Sequence, residues 1–301
     1  MNNKILKWIL FLALCIIWGS SFILMKWGMF DSHQQKTLSP YQVAALRMLS
    51  SGIIMLPFVK KAWQDIPKST IIYIVLSGWL GSFFPAFLFC IAETKLDGAF
   101  VGSLNALTPL FVIIIGALFY KRIVLYKNVV GVVIGWLGCL VLTYAGNQHQ
   151  PLVYFAYTGL VILATVLYGI NVNMVQQKLT WVPSTSIAAI AFASLIPPAL
   201  MILYFSNFFT LPLLTSTYFV STLASCVLGI VGTAIASILF YKLVKTAGGL
   251  FASLVTYGIP FVAIAWGIYF GENITWLHVT ALTIILIGVW IANQSNKKKQ
   301  A

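Results

Sequence analysis

The sequence predicts an all-α integral membrane protein in which ten transmembrane helices form two five-helix repeats of opposite orientation. Composition, the spacing of apolar runs and an internal repeat together predict this fold class. Apolar residues make up 60% of the 301 positions and charged residues only 8%, whereas a soluble domain has about 25% charged residues. Because lipid offers no partner to an unpaired backbone group, such a chain crosses a bilayer as helices.

Apolar runs of about 20 residues, the length that spans the hydrocarbon core, follow one another along the chain. The first run could be a signal peptide, but its length, the absence of an A-x-A-type cleavage site and the residues Gly19, Ser20 and Ser21 within it favour a mature helix. The predicted helices cover residues 6–27, 40–59, 70–91, 98–119, 128–146, 153–174, 184–205, 217–240, 250–270 and 275–294.

An internal repeat relates the two halves. Residues 78–119 align without a gap with residues 229–270, an offset of 151 (229 − 78), and ten of the forty-two pairs are identical. At an offset of 150 the repeat reaches the first and sixth helices, where Trp18 and Ser21 correspond to Tyr168 and Asn171. Since five is odd, each helix recurs with its direction across the membrane reversed. We expect a first repeat over 1–146, a short hinge, a second repeat over 152–296 and a basic cytoplasmic tail over 297–301.

The distribution of basic residues predicts the orientation. If the N-terminus is cytoplasmic, fourteen lysines and arginines lie on the cytoplasmic side, against Lys36 and Lys95 on the far side. This positive-inside pattern predicts a multi-pass protein of the cell membrane with both termini in the cytoplasm. The repeat pair Lys121 and Glu272 carries opposite charges, as expected if the two positions end on opposite sides. The net charge of +13 therefore reflects the orientation of the chain in the membrane and does not indicate nucleic-acid binding.

The sequence offers little for catalysis or metal binding. The four cysteines all lie inside apolar runs without CxxC spacing, and the three histidines form no pair at metal-ligand spacing. No nucleophile with a base and no phosphate-binding glycine loop is present. We therefore expect no catalytic residue, no metal site and no cofactor, with the lipid bilayer and a small-molecule substrate as the partners.

Several short motifs stand at characteristic places in the chain: Trp18-Gly19-Ser20-Ser21-Phe22, Ala45-Leu46-Arg47, Leu107-Thr108-Pro109-Leu110-Phe111, Tyr257-Gly258-Ile259-Pro260-Phe261, and the glycines Gly138 and Gly288. With these motifs the chain resembles the EamA-type permeases of the drug/metabolite transporter superfamily. The chain departs from the family pattern at one point, because the acidic residue that usually follows both proline segments is present as Glu272 and replaced by Lys121 in the first half. The resemblance implies a metabolite permease built from two inverted repeats.

Polar and aromatic side chains inside the predicted helices are the candidates for substrate binding, because polar groups deep in a bilayer are costly. Pro109 and Pro260 are expected to bend their helices and to free a backbone carbonyl one turn earlier. The alternative for each candidate is ordinary packing between helices. The predicted lining of a cavity between the halves is Trp18, Ser21, Asn105, Tyr168, Asn171 and Tyr257.

Arg47 lies within the second predicted helix and must pair, extend to the surface or bind an anion. A gate or brace between Arg47 and Glu93 is slightly favoured over a site for a substrate carboxylate, and Lys26 is expected to extend to the outer surface. Proton-driven carriers usually hold a carboxylate or histidine deep in the membrane. No predicted helix has one near its centre, which favours facilitated diffusion or exchange, with Glu93 as the exception.

The preferred function is a permease that exports or exchanges small polar or amphipathic metabolites such as amino acids by alternating access. An exporter of drugs or cationic compounds is the alternative within transport, and it would be favoured by an embedded acid. A membrane-embedded lipid-modifying enzyme would need clustered Asp, Glu or His, which five acids in the whole chain do not provide. A membrane scaffold would not need repeated polar patches. Whether the protein is a monomer or a homodimer stays open.

Overall fold

The computed structural model describes residues 3–31, 34–120, 125–145, 151–272 and 274–294. Its helical segments are labelled α1 to α10 along the chain, and several are interrupted. In these ranges there is no β-strand, and a single bridge joins Phe30 to Lys36. The segments are α1 (Asn3–Gly19 and Ser21–Met29), α2 (Pro40–Asp65), α3 (Lys68–Gly78, Trp79–Phe83 and Phe84–Ala92), α4 (Gly98–Asn105 and Thr108–Tyr120), α5 (Tyr126–Ala145), α6 (Pro151–Lys178), α7 (Ser184–Ala193 and Ile196–Phe205), α8 (Ser216–Gly229, Ile230–Ile235 and Ala236–Ala247), α9 (Gly249–Ser253 and Val255–Tyr269) and α10 (Trp276–Gln294).

Within the described residues, eight helices are long and apolar enough to cross a membrane. The described parts of α5 and α10 give shorter apolar stretches, Tyr126–Leu142 and Trp276–Ala292. The all-helical class is confirmed, whereas the total of ten membrane crossings and the opposite orientation of the halves stay predictions. Lys121, the hinge residues 146–150 and the tail 297–301 lie outside the described residues.

The two halves of the chain interlock along their length. Helix α1 packs against α8 and α9, and its repeat counterpart α6 packs against α3 and α4. The central helices α2 and α7 pack against each other, as do α4 and α9. Every one of these contacts joins one half to the other, so the interface between the halves is the core of the molecule.

Helices α5 and α10 form a pair beside this core, joined by a seam of glycines. A Cβ atom at Gly131 would overlap the carbonyl oxygen of Gly288, and one at Gly138 would lie 2.8 Å from the backbone nitrogen of Ile285. Asn128 Nδ2 donates to the carbonyl of Ala292 over 2.6 Å. Small residues let helices approach closely in a bilayer, where packing and polar contacts drive their association.

Two interruptions recur at the repeat offset and shape the centre of the molecule. Trp79–Phe83 in α3 and Ile230–Ile235 in α8 are both π-helical turns, and their first residues are 151 positions apart (230 − 79). A π-turn inserts one residue into the α-helical pattern and is frequent at functional sites. The repeat has therefore kept this irregularity in both halves.

The fourth and ninth helices are also interrupted, and the break lies beside Pro109 in α4 but away from Pro260 in α9. Helix α4 breaks between Asn105 and Thr108, directly before Pro109, whereas α9 breaks at Leu254 and Pro260 lies inside the continuous segment Val255–Tyr269. The carbonyl that Pro109 leaves without an N–H donor belongs to Asn105. Thr108 Oγ1 donates to that oxygen over 2.8 Å, so the freed acceptor is satisfied within the helix.

Candidate functional site

A central cavity lies between the two halves and contains most of the residues predicted for substrate binding. The surrounding atoms leave about 830 Å³ of free space, including its opening. Five of the six predicted binding residues line it, and Arg47 lines it as well, whereas Tyr257 and Glu93 do not. The five are Trp18, Ser21, Asn105, Tyr168 and Asn171.

Two aromatic pairs related by the repeat flank the cavity and join the halves. The ring centroids of Trp18 and Phe240 are 5.2 Å apart, and those of Tyr168 and Phe89 are 6.0 Å apart. Because Trp18 corresponds to Tyr168 and Phe89 to Phe240, each pair is the repeat image of the other. The cavity thus has an aromatic wall contributed equally by both halves.

The π-turns place glycine backbone against the polar members of the predicted site. Trp18 Nε1 donates to the carbonyl of Gly232 over 3.0 Å, and a Cβ atom at Gly232 would lie 3.0 Å from Ser21 Oγ. On the other side, a Cβ atom at Gly81 would overlap the Asn171 amide. Gly81 and Gly232 are repeat equivalents, so the lack of a side chain is what brings these polar groups close to the opposite half.

Arg47 is the one charged residue among the described residues that line the cavity. It is 8% exposed, and its Nε donates to Thr233 Oγ1 in the π-turn of α8 over 2.6 Å. The expected gate between Arg47 and Glu93 is not formed in this structure, because no ion pair within 4.0 Å joins the two among the described residues. The guanidinium is fixed by a hydroxyl of the second half and not by an acid.

Asn171 supplies an acceptor that no protein donor satisfies in the described part of the chain. It is 5% exposed, it lines the cavity, and its Oδ1 has no hydrogen-bond partner. Asn105, by contrast, accepts from Thr108 Oγ1 over 3.1 Å. Since a buried acceptor without a partner is costly, Asn171 Oδ1 is a group that a ligand donor would satisfy.

Tyr257 was expected to line the cavity but does not. Its neighbour Thr256 and the nearby Ser253 line the cavity instead. Successive helical residues lie about 100° apart around the axis, so only one of two neighbours can face the cavity. Tyr257 is half-buried against the apolar core, and the adjacent Gly258 packs against Cys15 in α1. The sequence did not predict which of the two neighbours faces the cavity, because the helix is interrupted at Leu254, just before both residues, and the interruption changes the direction in which they point.

A cluster of charges connects the two halves at the end of the molecule that the loop charges predict to be outer, and we call this cluster the outer gate. Lys26 Nζ pairs with Glu272 and lies 3.4 Å from Asp97 Oδ1. Glu272 also accepts from the backbone N–H groups of Gly98 and Ala99 over 3.2 and 3.1 Å. The carboxylate thus binds the N-terminus of α4, where unsatisfied N–H groups and the helix dipole favour an anion.

The outer gate joins the first and second halves, and Lys26, which was expected to extend to the outer surface, is 25% exposed there and paired with two acids. Sequence reasoning missed it because Lys26, Asp97 and Glu272 are far apart in the chain. One signal was available: Glu272 is the position at which the two repeats carry opposite charges. The repeat counterpart of Lys26 is Gln176 (26 + 150), and a Cβ atom at Gly249 would lie 2.7 Å from its Oε1.

Comparison with known proteins agrees with this architecture. The sequence profile of the EamA-like transporter family matches residues 6–144 and again residues 157–294, and the chain belongs to that family. Over 291 residues the chain is 24% identical to a protein of Archaeoglobus fulgidus described as an uncharacterized transporter, and the alignment covers 95% of this chain and 98% of that protein. The protein is thus a multi-pass membrane transporter of the drug/metabolite transporter superfamily.

A solved structure, described as the crystal structure of a protein, shares the fold. Its TM-score to this chain is 0.65 at 16% sequence identity, with 97% of this chain and 98% of that chain covered. At that identity the likeness concerns the fold alone.

Proposed function

We propose that this transporter is a permease for small amino-acid-like metabolites, and that it works by alternating access as an exporter or exchanger. The observation that carries the proposal is the pair of complementary groups in one cavity. Arg47 offers a fixed cation, and Asn171 Oδ1 offers an acceptor without a protein donor. A zwitterion satisfies both at once, with its carboxylate on the guanidinium and its ammonium on the amide oxygen.

Arginine suits a carboxylate because its planar donors match the two oxygens. Its Nε is already held by Thr233, which orients the guanidinium before a substrate arrives. The rings of Trp18 and Tyr168 give apolar surface for a side chain, and an aromatic face also attracts an ammonium group. Thr256 and Ser253 add hydroxyls to the same wall.

The charge of the cavity argues against the alternative of a cationic drug exporter. Among the described lining residues there is one arginine and no carboxylate, so a cation without a carboxylate would meet uncompensated repulsion. A lipid-modifying enzyme is disfavoured because the described lining also holds no histidine or acid to act as a general base. The family assignment points in the same direction, since the family is one of transporters.

Alternating access is supported by the different contacts that join the two halves at the opposite ends of the molecule. The outer gate is held by an ion pair and a helix N-terminus, whereas its repeat counterpart uses Gln176 against Gly249. Related sites at opposite ends of an inverted repeat can open in turn around a central cavity. The loop charges support a cell-membrane location with both termini in the cytoplasm.

The test is transport in proteoliposomes. Purified protein is reconstituted with a panel of labelled amino acids, their decarboxylated amines and their amides, and both uptake and counterflow are measured. We expect zwitterions to exchange and the amines to be excluded. Movement of the amines in preference to the zwitterions would favour the cationic alternative, and a lack of movement of any solute under every gradient would refute the permease.

A further inference from the structure

Glu93 is a buried carboxyl group that the substrate site does not use. It follows directly after Ala92, the last residue of α3, and is 3% exposed. Neither of its carboxyl oxygens has a hydrogen-bond partner in the described part of the chain. A charged carboxylate without hydrogen bonds is strongly disfavoured when it is removed from water.

The charged neighbours of Glu93 are engaged elsewhere. Burial raises the pKa of Glu93 well above its usual range; nearby Lys26 and Arg47 lower that pKa, and Glu272 and Asp97 raise it further. Lys26 is paired with Glu272 and Asp97, and Arg47 is bound to Thr233. Since neither cation donates a hydrogen bond to Glu93, its burial favours the protonated form in this arrangement.

The repeat shows that packing does not require an acid at this position. The counterpart of Glu93 is Val244 (93 + 151), which is 1% exposed in α8. An apolar side chain therefore fills the equivalent place in the other half. The acid is specific to the half that carries the outer gate.

The position of Glu93 relates it to the opening of that gate. Phe89, one turn earlier on α3, lines the cavity, and Asp97, four residues later, belongs to the outer gate. A carboxyl group between the two regains water, and with it an ordinary affinity for protons, when the gate separates. The closed state therefore binds the proton more tightly than the open state does.

We propose that Glu93 takes up one proton from the outer solution each time the outer gate closes, so that outer pH sets the balance between the open and closed gate. The proton is retained while the gate is closed, because the carboxyl is sealed from solvent, and it returns to the outer water when the gate opens. By linkage, acid outside favours closure. This inference rests on the proposed alternating access and adds a titratable group to it.

Labelling of a cysteine from outside tests the proposal without any substrate. Met25 lines the cavity next to Lys26 and is 2% exposed. The variant Met25→Cys is placed in right-side-out vesicles. A membrane-impermeant maleimide is then added at outer pH values from 5 to 9. Protein that retains Met25 gives the background from the native cysteines. Glu93→Gln in the Met25→Cys protein is the matched control, because the introduced thiol also becomes more ionised, and so more reactive, as the pH rises.

The readout is the labelling rate of the Met25→Cys protein that keeps Glu93, divided by the rate of the same protein with Glu93→Gln. We expect this ratio to rise with outer pH by at most about tenfold per pH unit, the limit for one proton. The two rates should converge in acid, and inner pH should have no effect. Glu93→Val, which copies Val244, serves if the glutamine variant does not fold.

A constant ratio overturns the proposal, as does a response to inner pH or an absence of labelling at every pH. A failure of the permease itself is seen separately, in the transport assay.

Discussion

Arg47 shows how a single residue makes two similar halves unequal. The backbone of Arg47 packs against Gly229, and the equivalent Gly78 packs against the backbone of Ala191. The repeat therefore provides the same helix contact in both halves, with a guanidinium on one side and a methyl group on the other. The cavity inherits one positive charge, and this asymmetry gives an amino-acid-like substrate a single orientation in our proposal.

The role of Arg47 is testable by removing its charge. Arg47→Gln keeps a polar side chain and loses the cation, so we expect the KM for a zwitterionic substrate to rise about 10- to 100-fold, since a charge-assisted hydrogen bond contributes about 1.5–3 kcal/mol. The KM for the corresponding amino amide, a cation that lacks the carboxylate, should not rise and should fall, because the variant removes the repulsion by Arg47. Arg47→Lys should retain part of the affinity. An equal rise for substrate and amide would mean that Arg47 acts only through packing.

At the scale of single helices, the sequence predicted where the helices lie better than how they are broken. Apolar length gave the helices, and the prolines gave the break in α4. The π-turns could not be predicted, because the glycines and small residues around Gly81 and Gly232 fit an ordinary packing seam equally well. The structure shows both uses: Gly78 and Gly229 pack closely on α7 and α2, whereas Ser82 and Thr233 face the cavity.

A methyl group at the first π-turn tests its function. Gly81→Ala would push a Cβ atom into the Asn171 amide, so Asn171 must move and its acceptor leaves the cavity. We expect transport to fall by at least about tenfold, which corresponds to about 1.4 kcal/mol, while the protein stays folded. Transport is measured as counterflow per mole of protein that elutes as a single peak in detergent. Gly159→Ala in α6 is the control, because a Cβ atom there meets nothing within 4 Å. Equal transport by both variants would contradict the assigned geometry.

At the scale of the whole molecule, the inverted pattern was visible in the sequence, and the closure of its ends was not. The alignment related Trp18 to Tyr168 and Ser21 to Asn171, and the structure brings all four to one cavity. The outer gate depends on residues 246 positions apart, Lys26 and Glu272, and no local pattern indicates such a contact. The loop charges distinguished the two ends, and the opposite charges at 121 and 272 were the one sign of a difference at a repeat-related position.

The outer gate combines an ion pair with a helix N-terminus, and a charge exchange separates the two contributions. Lys26→Glu or Glu272→Lys alone leaves like charges together, and we expect either to destabilise the closed form by about 3 kcal/mol, as for a buried pair that loses a partner. The double exchange restores the pair but turns a lysine towards the N–H groups of Gly98 and Ala99, which need an acceptor and disfavour a cation. It also places a carboxylate at position 26 beside the exposed Asp97, which adds a weaker, solvent-screened repulsion. Thermal unfolding in detergent should therefore recover only about half of the loss. Complete recovery would show that Glu272 acts solely through Lys26, and no recovery would show that the two charges are not coupled. Partial recovery is expected because the N-terminus of α4 favours a negative charge and disfavours a positive one. The acid of the pair therefore belongs at position 272 in the second half, and the lysine at position 26 in the first.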